Sequence, residues 1–156
     1  MISRKVDNLL INLANIERGI GRIYEYLAQQ EAFTPQVKRF WRTIMEEELI
    51  HEKIFKDIRE KANADDSFEI EIDTDLDELK AFVQKLKTLL EKIRKEGVSE
   101  SEAYSFGATI EIEIDEASFL KKIKTNDPDI TKLVNRIDSD TQKHRVMMVN
   151  YSRGIR

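Results

Sequence analysis

The sequence predicts an all-α fold, an antiparallel four-helix bundle whose second and third long helices are joined by a long crossover carrying an extra helix. Three observations predict it. Glycine and proline are scarce, five and two in 156 residues, while Lys, Glu, Leu and Ile abound, a composition that favours long helices. Apolar residues recur at steps of three and four along four long stretches. The chain also reads as a repeated unit: a long helix with a central Glu, a Pro-marked turn, then a helix with a central His. One domain spanning 1–156 is expected, with hairpins at 3–63 and 99–152 and an insert at 64–98.

The first helix is expected from about Ser3 to Gln30, with Val6, Leu9, Leu10, Leu13, Ile16, Ile20, Ile23 and Leu27 as its apolar stripe. Glu17 and Tyr24 fall inside that stripe. Glu17 either turns into the core or edges the apolar face and pairs with Arg18 or Arg22. Gly19 and Gly21 each cost about 1 kcal/mol relative to Ala in a helix interior, so they are expected where another helix approaches, from this chain or from a second copy.

Thr34-Pro35 opens the second helix, Thr as N-cap and Pro at the first helical position, where its missing N–H costs nothing. The short loop before it makes the two helices antiparallel and brings Glu17 level with Glu48. Val37, Phe40, Trp41, Ile44, Phe55 and Ile58 form a stripe that passes through both Glu48 and His51. Glu48-x-x-His51 therefore places a carboxylate and an imidazole one turn apart on a core-facing side, where they need partners, and a metal ion is the common one. The helix should fade at Asn63-Ala64-Asp65-Asp66.

Ser67 to Asp73 alternates with period two, as a short extended piece does. Thr74-x-x-Asp77 resembles a capping box before a helix bearing Leu79, Phe82, Val83, Leu86, Leu90 and Ile93, which should stop at Gly97. Its stripe carries no acid or His, so it is expected to be structural cover. Ser99-x-x-Glu102 is a full capping box, opening a helix with Phe106, Ile110, Ala117 and Leu120 on its stripe and Glu113 at the centre. The rival for this stretch is a strand, since Thr109 to Asp115 alternates strictly and would pair with Phe68 to Asp73. Helix is preferred because the cap lies just upstream and the helical pattern continues through Phe119, Leu120 and Ile123.

Asp127-Pro128 opens the last helix, with Ile130, Leu133, Val134, Ile137, Met148 and Tyr151 on a stripe that passes through Thr141 and His144. Glu17 and Glu113 stand 96 positions apart, and His51 and His144 stand 93 apart. Near-equal offsets point to two homologous hairpins.

Composition narrows the chemistry. Cysteine is absent, which leaves Asp, Glu and His as the strong metal ligands and rules out thiol catalysis and iron–sulfur ligation by these residues. Charged residues make up 36% of the chain but nearly cancel, to a net charge of −4, and both signs are interspersed. No nucleic-acid footprint follows, and no run approaches the about 18 apolar residues that cross a membrane. The N-terminus lacks the apolar core of a signal peptide, so a soluble cytoplasmic protein is expected.

The set Glu17 with Tyr24 seven positions on, Glu48-Leu49-Ile50-His51 on a Pro-started second helix, Glu113 on the third and His144 on the fourth resembles the ferritin-like superfamily of di-iron carboxylate proteins. It is most similar to the rubrerythrin-like branch, over residues 5–60 and 100–150. The resemblance implies a bundle that takes one Glu from each of two helices and a Glu-x-x-His from each of the others. Glu17 would then be a terminal ligand, Glu48 a bridge, His51 the nitrogen on one metal, and Glu113 and His144 the counterparts for the second. Two iron ions are implied, with manganese or zinc also satisfied by such ligands. The departure is Thr141, which stands where the pattern requires the bridging Glu of the fourth helix. Asp140 and Glu47, at i−4 from His144 and His51, are the candidates to replace it. Full-length rubrerythrins also carry a Cys-rich rubredoxin domain; no such residues stand in this chain, so an enzyme of this kind would need an external electron donor.

Three functions compete at this level. One is a di-metal oxidoreductase reducing peroxide or dioxygen, with Tyr24 bonded to a ligand, donating an electron, or simply satisfied in the core. Another is iron handling without turnover, and the third is a degenerate bundle with a weak or mononuclear site and a structural or interaction role. A homodimer is compatible with each.

Overall fold

The computed structural model describes residues 2–154, and of Glu116 the backbone alone. The chain is mostly helical: α1 (Arg4–Ala28), α2 (Pro35–Ala64), β1 (Ile70–Ile72), α3 (Leu76–Glu96), α4 (Glu100–Ala117), a 3₁₀ turn (Leu120–Lys122), β2 (Ile123–Thr125) and α5 (Pro128–Ser152). Each of the five α-helices starts at a side-chain cap. Ser3, Thr34, Ser99 and Asp127 accept from backbone N–H groups of the first turns, and Ser99 and Glu102 close a reciprocal capping box. At α3 the cap is Asp75, bonding to the Asp77 N–H, rather than Thr74, one residue earlier. Gly97 ends that helix at φ 77°, a left-handed conformation that glycine adopts without steric cost.

Two helical hairpins make up the body. In the first, Arg59 pairs with Asp7 at one end while Tyr24 packs on Trp41 at the other, so α1 and α2 run antiparallel. In the second, Arg145 pairs with Asp115 and Tyr151 stacks on Tyr104, which sets α5 antiparallel to α4. The apolar stripes expected from the sequence are the core: Leu9, Leu10, Ile20, Ile23 and Leu27 of α1 meet Val37, Trp41, Phe55 and Ile58 of α2, and Ile137 and Met148 of α5 are equally buried. Among the described residues no helix is long and apolar enough to cross a membrane.

The insert covers one flank. α3 lies along α1, with Leu86 so close to Gly19 that a Cβ there would sit 3.0 Å from Leu86 Cδ1. Gly19 therefore serves a helix contact within the chain, whereas a Cβ on Gly21 would meet only ordinary contact distance. The period-two stretch does form a strand, but its partner is β2: Ile70 pairs with Thr125 and Ile72 with Ile123, antiparallel. Thr109 to Asp115 is helical throughout. The helix stops sooner than expected, because Ser118 takes a left-handed φ of 55° and turns the chain toward β2, so Ile123 belongs to the ribbon instead of the helix.

Candidate metal centre

The four helices α1, α2, α4 and α5 each send acid or imidazole groups to one buried point. Glu17, Glu48 and His51 offer atoms all within 4.8 Å of one another, and Glu48, Glu111 and His144 do the same. Glu48 belongs to both groups. Its two oxygens are divided between the imidazoles, Oε2 lying 3.2 Å from His51 Nδ1 and Oε1 2.9 Å from His144 Nδ1. The outer acids complete each half: Glu17 Oε2 is 3.8 Å from His51 Nδ1, and Glu111 Oε1 is 3.6 Å from His144 Nδ1. Glu17, Glu48, His51, Glu111 and His144 are each no more than 6% exposed.

Glu113, expected here from the sequence, is not in the cluster. Its carboxylate is partly exposed and bonds Lys85 of α3 at 2.7 Å. The cluster member on α4 is Glu111, and the two residues point about 200° apart around a helix. The misassignment follows from what α4 buries. Its buried face is Ala103, Tyr104, Gly107, Ala108, Ile110, Glu111 and Ile114, and because three of these seven are Ala or Gly, a stripe drawn through large apolar residues is pulled toward the phase of Glu113. The isoleucines at 110, 112 and 114 mark both faces alike. The repeat itself carried the correct signal: Glu17 and Glu111 are 94 positions apart, closer to the 93 of the histidine pair than the 96 of Glu113. Gly107 is small for a reason, since a Cβ there would lie 2.8 Å from Trp41 Cη2 and 2.6 Å from Met148 Sδ.

Glu47 and Asp140 do not enter the cluster as replacement ligands. They take the outer nitrogens of the two imidazoles, each reaching across from the opposite helix: Asp140 Oδ2 of α5 is 3.1 Å from His51 Nε2, and Glu47 Oε2 of α2 is 2.5 Å from His144 Nε2. Such a carboxylate sets the tautomer, putting the proton on Nε2 and freeing the Nδ1 lone pair toward the centre. The two differ in setting. Asp140 is held by Lys143 and Arg136 as well, while Glu47 is 41% exposed. Thr141 is buried one turn before His144, three residues ahead of it as Glu48 is of His51. Tyr24, fully buried, donates from its hydroxyl to Glu111 Oε1 at 2.6 Å.

Crowding three acids and two imidazoles away from water divides their protons unequally. Burial raises Glu17 to about 8, with His51 offsetting only part of it, and burial also raises Glu111. For Glu48 burial works upward too, but His144 and His51 overcome it and hold the carboxyl at about 2. Burial would lower the imidazoles; the neighbouring Glu17 and Glu48 push His51 up to about 11, and Glu111 and Glu48 do the same for His144. Burial, followed by the charges of Glu111 and Glu48, lifts the Tyr24 phenol well above its ordinary range and keeps it a donor.

The donor set suits divalent ions. His144 Nδ1 is buried between Glu48 Oε1 at 2.9 Å and Glu111 Oε1 at 3.6 Å, a position where a divalent ion could replace its proton. With neutral imidazoles, the three inner and two outer carboxylates carry five negative charges against the four positive charges of two divalent ions. No family model, curated protein or solved structure matches this chain.

Proposed function

We propose that the chain is a di-metal carboxylate protein of the ferritin-like, rubrerythrin-like type, with α1, α2, α4 and α5 as its four-helix bundle. The observation that carries this reading is Glu48 shared between two inward-facing imidazole Nδ1 atoms, each half completed by one further Glu. Glu17, Glu48 and His51 would hold one ion, and Glu48, Glu111 and His144 the other. Mixed oxygen and imidazole ligation fits iron, and also manganese or zinc. A bound di-iron pair would supply the electrons for peroxide or dioxygen reduction, drawn from an external donor. The residues of the chain fix the ligands, exclude water and hold protons: Tyr24 keeps a hydroxyl on Glu111, while Asp140 and Glu47 orient the rings.

The test is metal stoichiometry in paired variants. Glu111→Ala should lower bound iron or manganese, whereas Glu113→Ala, which removes only a partly exposed pairing with Lys85, should leave it at the wild-type value. Equal losses in both variants would place the site elsewhere.

A second reading, a site that fills with one ion only, is favoured by Thr141, whose hydroxyl cannot bridge as a carboxylate does.

Binding should also depend on pH in a defined direction. Without metal, both imidazoles stay protonated up to about 11 and Glu17 up to about 8. These groups have raised pKa values in the fold, so the stability they contribute is complete below their ordinary values and declines as pH rises through the raised ones. A metal takes the place of those protons, so affinity should climb from pH 6 to pH 9 with protons released on binding. Calorimetric titration in buffers of different ionisation enthalpy measures the release. Affinity that falls with pH over this range would contradict the ligand set.

A further inference from the structure

From the Glu111 side of the cluster a column of oxidisable rings runs to the surface. Tyr24 lies 5.1 Å from Trp41 between ring centroids, Trp41 is stacked at 5.3 Å on Tyr104, and Tyr104 is stacked at 5.1 Å on Tyr151. Tyr24 and Trp41 are fully buried, and Tyr151 is partly exposed. The outer end lines a surface groove of ≈ 200 Å³ with Arg39, Phe40 and Thr43. Phe40 touches Trp41, Tyr104 and Tyr151 edge-on, closing the column without adding an oxidisable ring.

We propose that Tyr24, Trp41, Tyr104 and Tyr151 form a path for single electrons between the cluster and this groove. Packing alone would be served as well by phenylalanine or leucine; what these rings share is that each can lose an electron.

Their proton contacts suit the task. Tyr24 sits 2.6 Å from a carboxylate oxygen, so when it gives up an electron its phenolic proton crosses to Glu111, and it returns when the ring is reduced. The buried indole Nε1 of Trp41 has no hydrogen-bond partner, so an oxidised Trp41 keeps its proton as a radical cation and is refilled by its neighbour. At the outer end the hole rests on the stacked Tyr104–Tyr151 pair, inclined at 18°, and Tyr151 exchanges its proton with solvent. Over one passage a one-electron reductant at the groove loses an electron, the centre gains it, and all four rings regain their starting protonation. The role of the path as a supply to the centre rests on the di-metal reading; conduction along the rings does not.

The absence of cysteine makes the test direct. A thiol-reactive ruthenium polypyridyl photosensitiser is attached through Arg39→Cys, beside the groove, in metal-free protein. Flash oxidation of the label should produce a neutral tyrosyl radical at Tyr24, seen by electron paramagnetic resonance as a component that is missing in Tyr24→Phe while that of Tyr151 remains. In Trp41→Phe and in Tyr104→Phe, which removes only a hydroxyl, the Tyr24 radical should be lost while oxidation at Tyr151 remains. Circular dichroism confirms that each variant is folded. A Tyr24 radical formed at wild-type yield in both interrupted variants, or none in the labelled parent, would overturn the path. Because no metal is needed, such a failure leaves the metal-binding reading intact, and that reading fails separately if the protein binds no metal.

Discussion

Replacing Glu48 with alanine is expected to empty both proposed metal positions while leaving the helices in place. Among the described residues Glu48 alone faces both imidazoles, so its loss removes a proposed ligand from each half at once. Loss of an outer partner such as Asp140 typically costs about 10- to 100-fold in metal affinity, and loss of the shared ligand should exceed that range. The fold should survive, because the apolar stripes around Trp41, Phe55 and Ile137 supply the core independently of the ions. Metal analysis together with far-ultraviolet circular dichroism separates the two effects. His51→Ala should behave more mildly, weakening one half and sparing Glu48, Glu111 and His144. Unchanged metal content in both variants would remove Glu48-x-x-His51 from the site.

Thr141→Glu is expected to act in the opposite direction on binding and in two directions on stability. It restores a Glu-x-x-His on α5 and offers a second bridging carboxylate, so the affinity for the second ion should rise at least about tenfold, about 1.4 kcal/mol. Without metal, the same substitution adds a charge at a position only 6% exposed, beside three acids already competing for two imidazoles, and the metal-free protein should melt at a lower temperature. With metal, the order should reverse, since ligand binding to the native state stabilises it. Thermal melts with and without excess manganese, for wild type and variant, test both signs. If wild type already holds two ions tightly and the variant gains nothing, Thr141 is simply tolerated at that position.

Much of this architecture is legible in the sequence because its signals are local. Thr34-Pro35, Asp127-Pro128 and the Ser99/Glu102 box state where helices start, and Gly97 states where one ends. His51 and His144 could be placed because each is an isolated imidazole on a stripe of large apolar residues. Glu111 could not be found from the apolar stripe, only from the repeat spacing, since part of the inner face of α4 is Ala and Gly where Trp41 and Met148 press in from the neighbouring helices. That crowding is a tertiary fact with no periodic trace. The roles of Asp140 and Glu47 were hidden for a similar reason: each serves the histidine of the other helix, and sequence spacing ties each only to its own. The β2 partner of β1 was equally out of reach, as a three-residue strand after a left-handed Ser118 has too few residues to show a pattern.

The most direct measurement is anomalous diffraction from crystals grown with manganese or ferrous iron, which locates the ions without reference to activity. Two peaks are expected inside the bundle, one among Glu17, Glu48 and His51 and one among Glu48, Glu111 and His144, the second weaker at limiting metal. A structure with the helices in place and its only peaks at surface acids, away from Glu48, would contradict the di-metal centre.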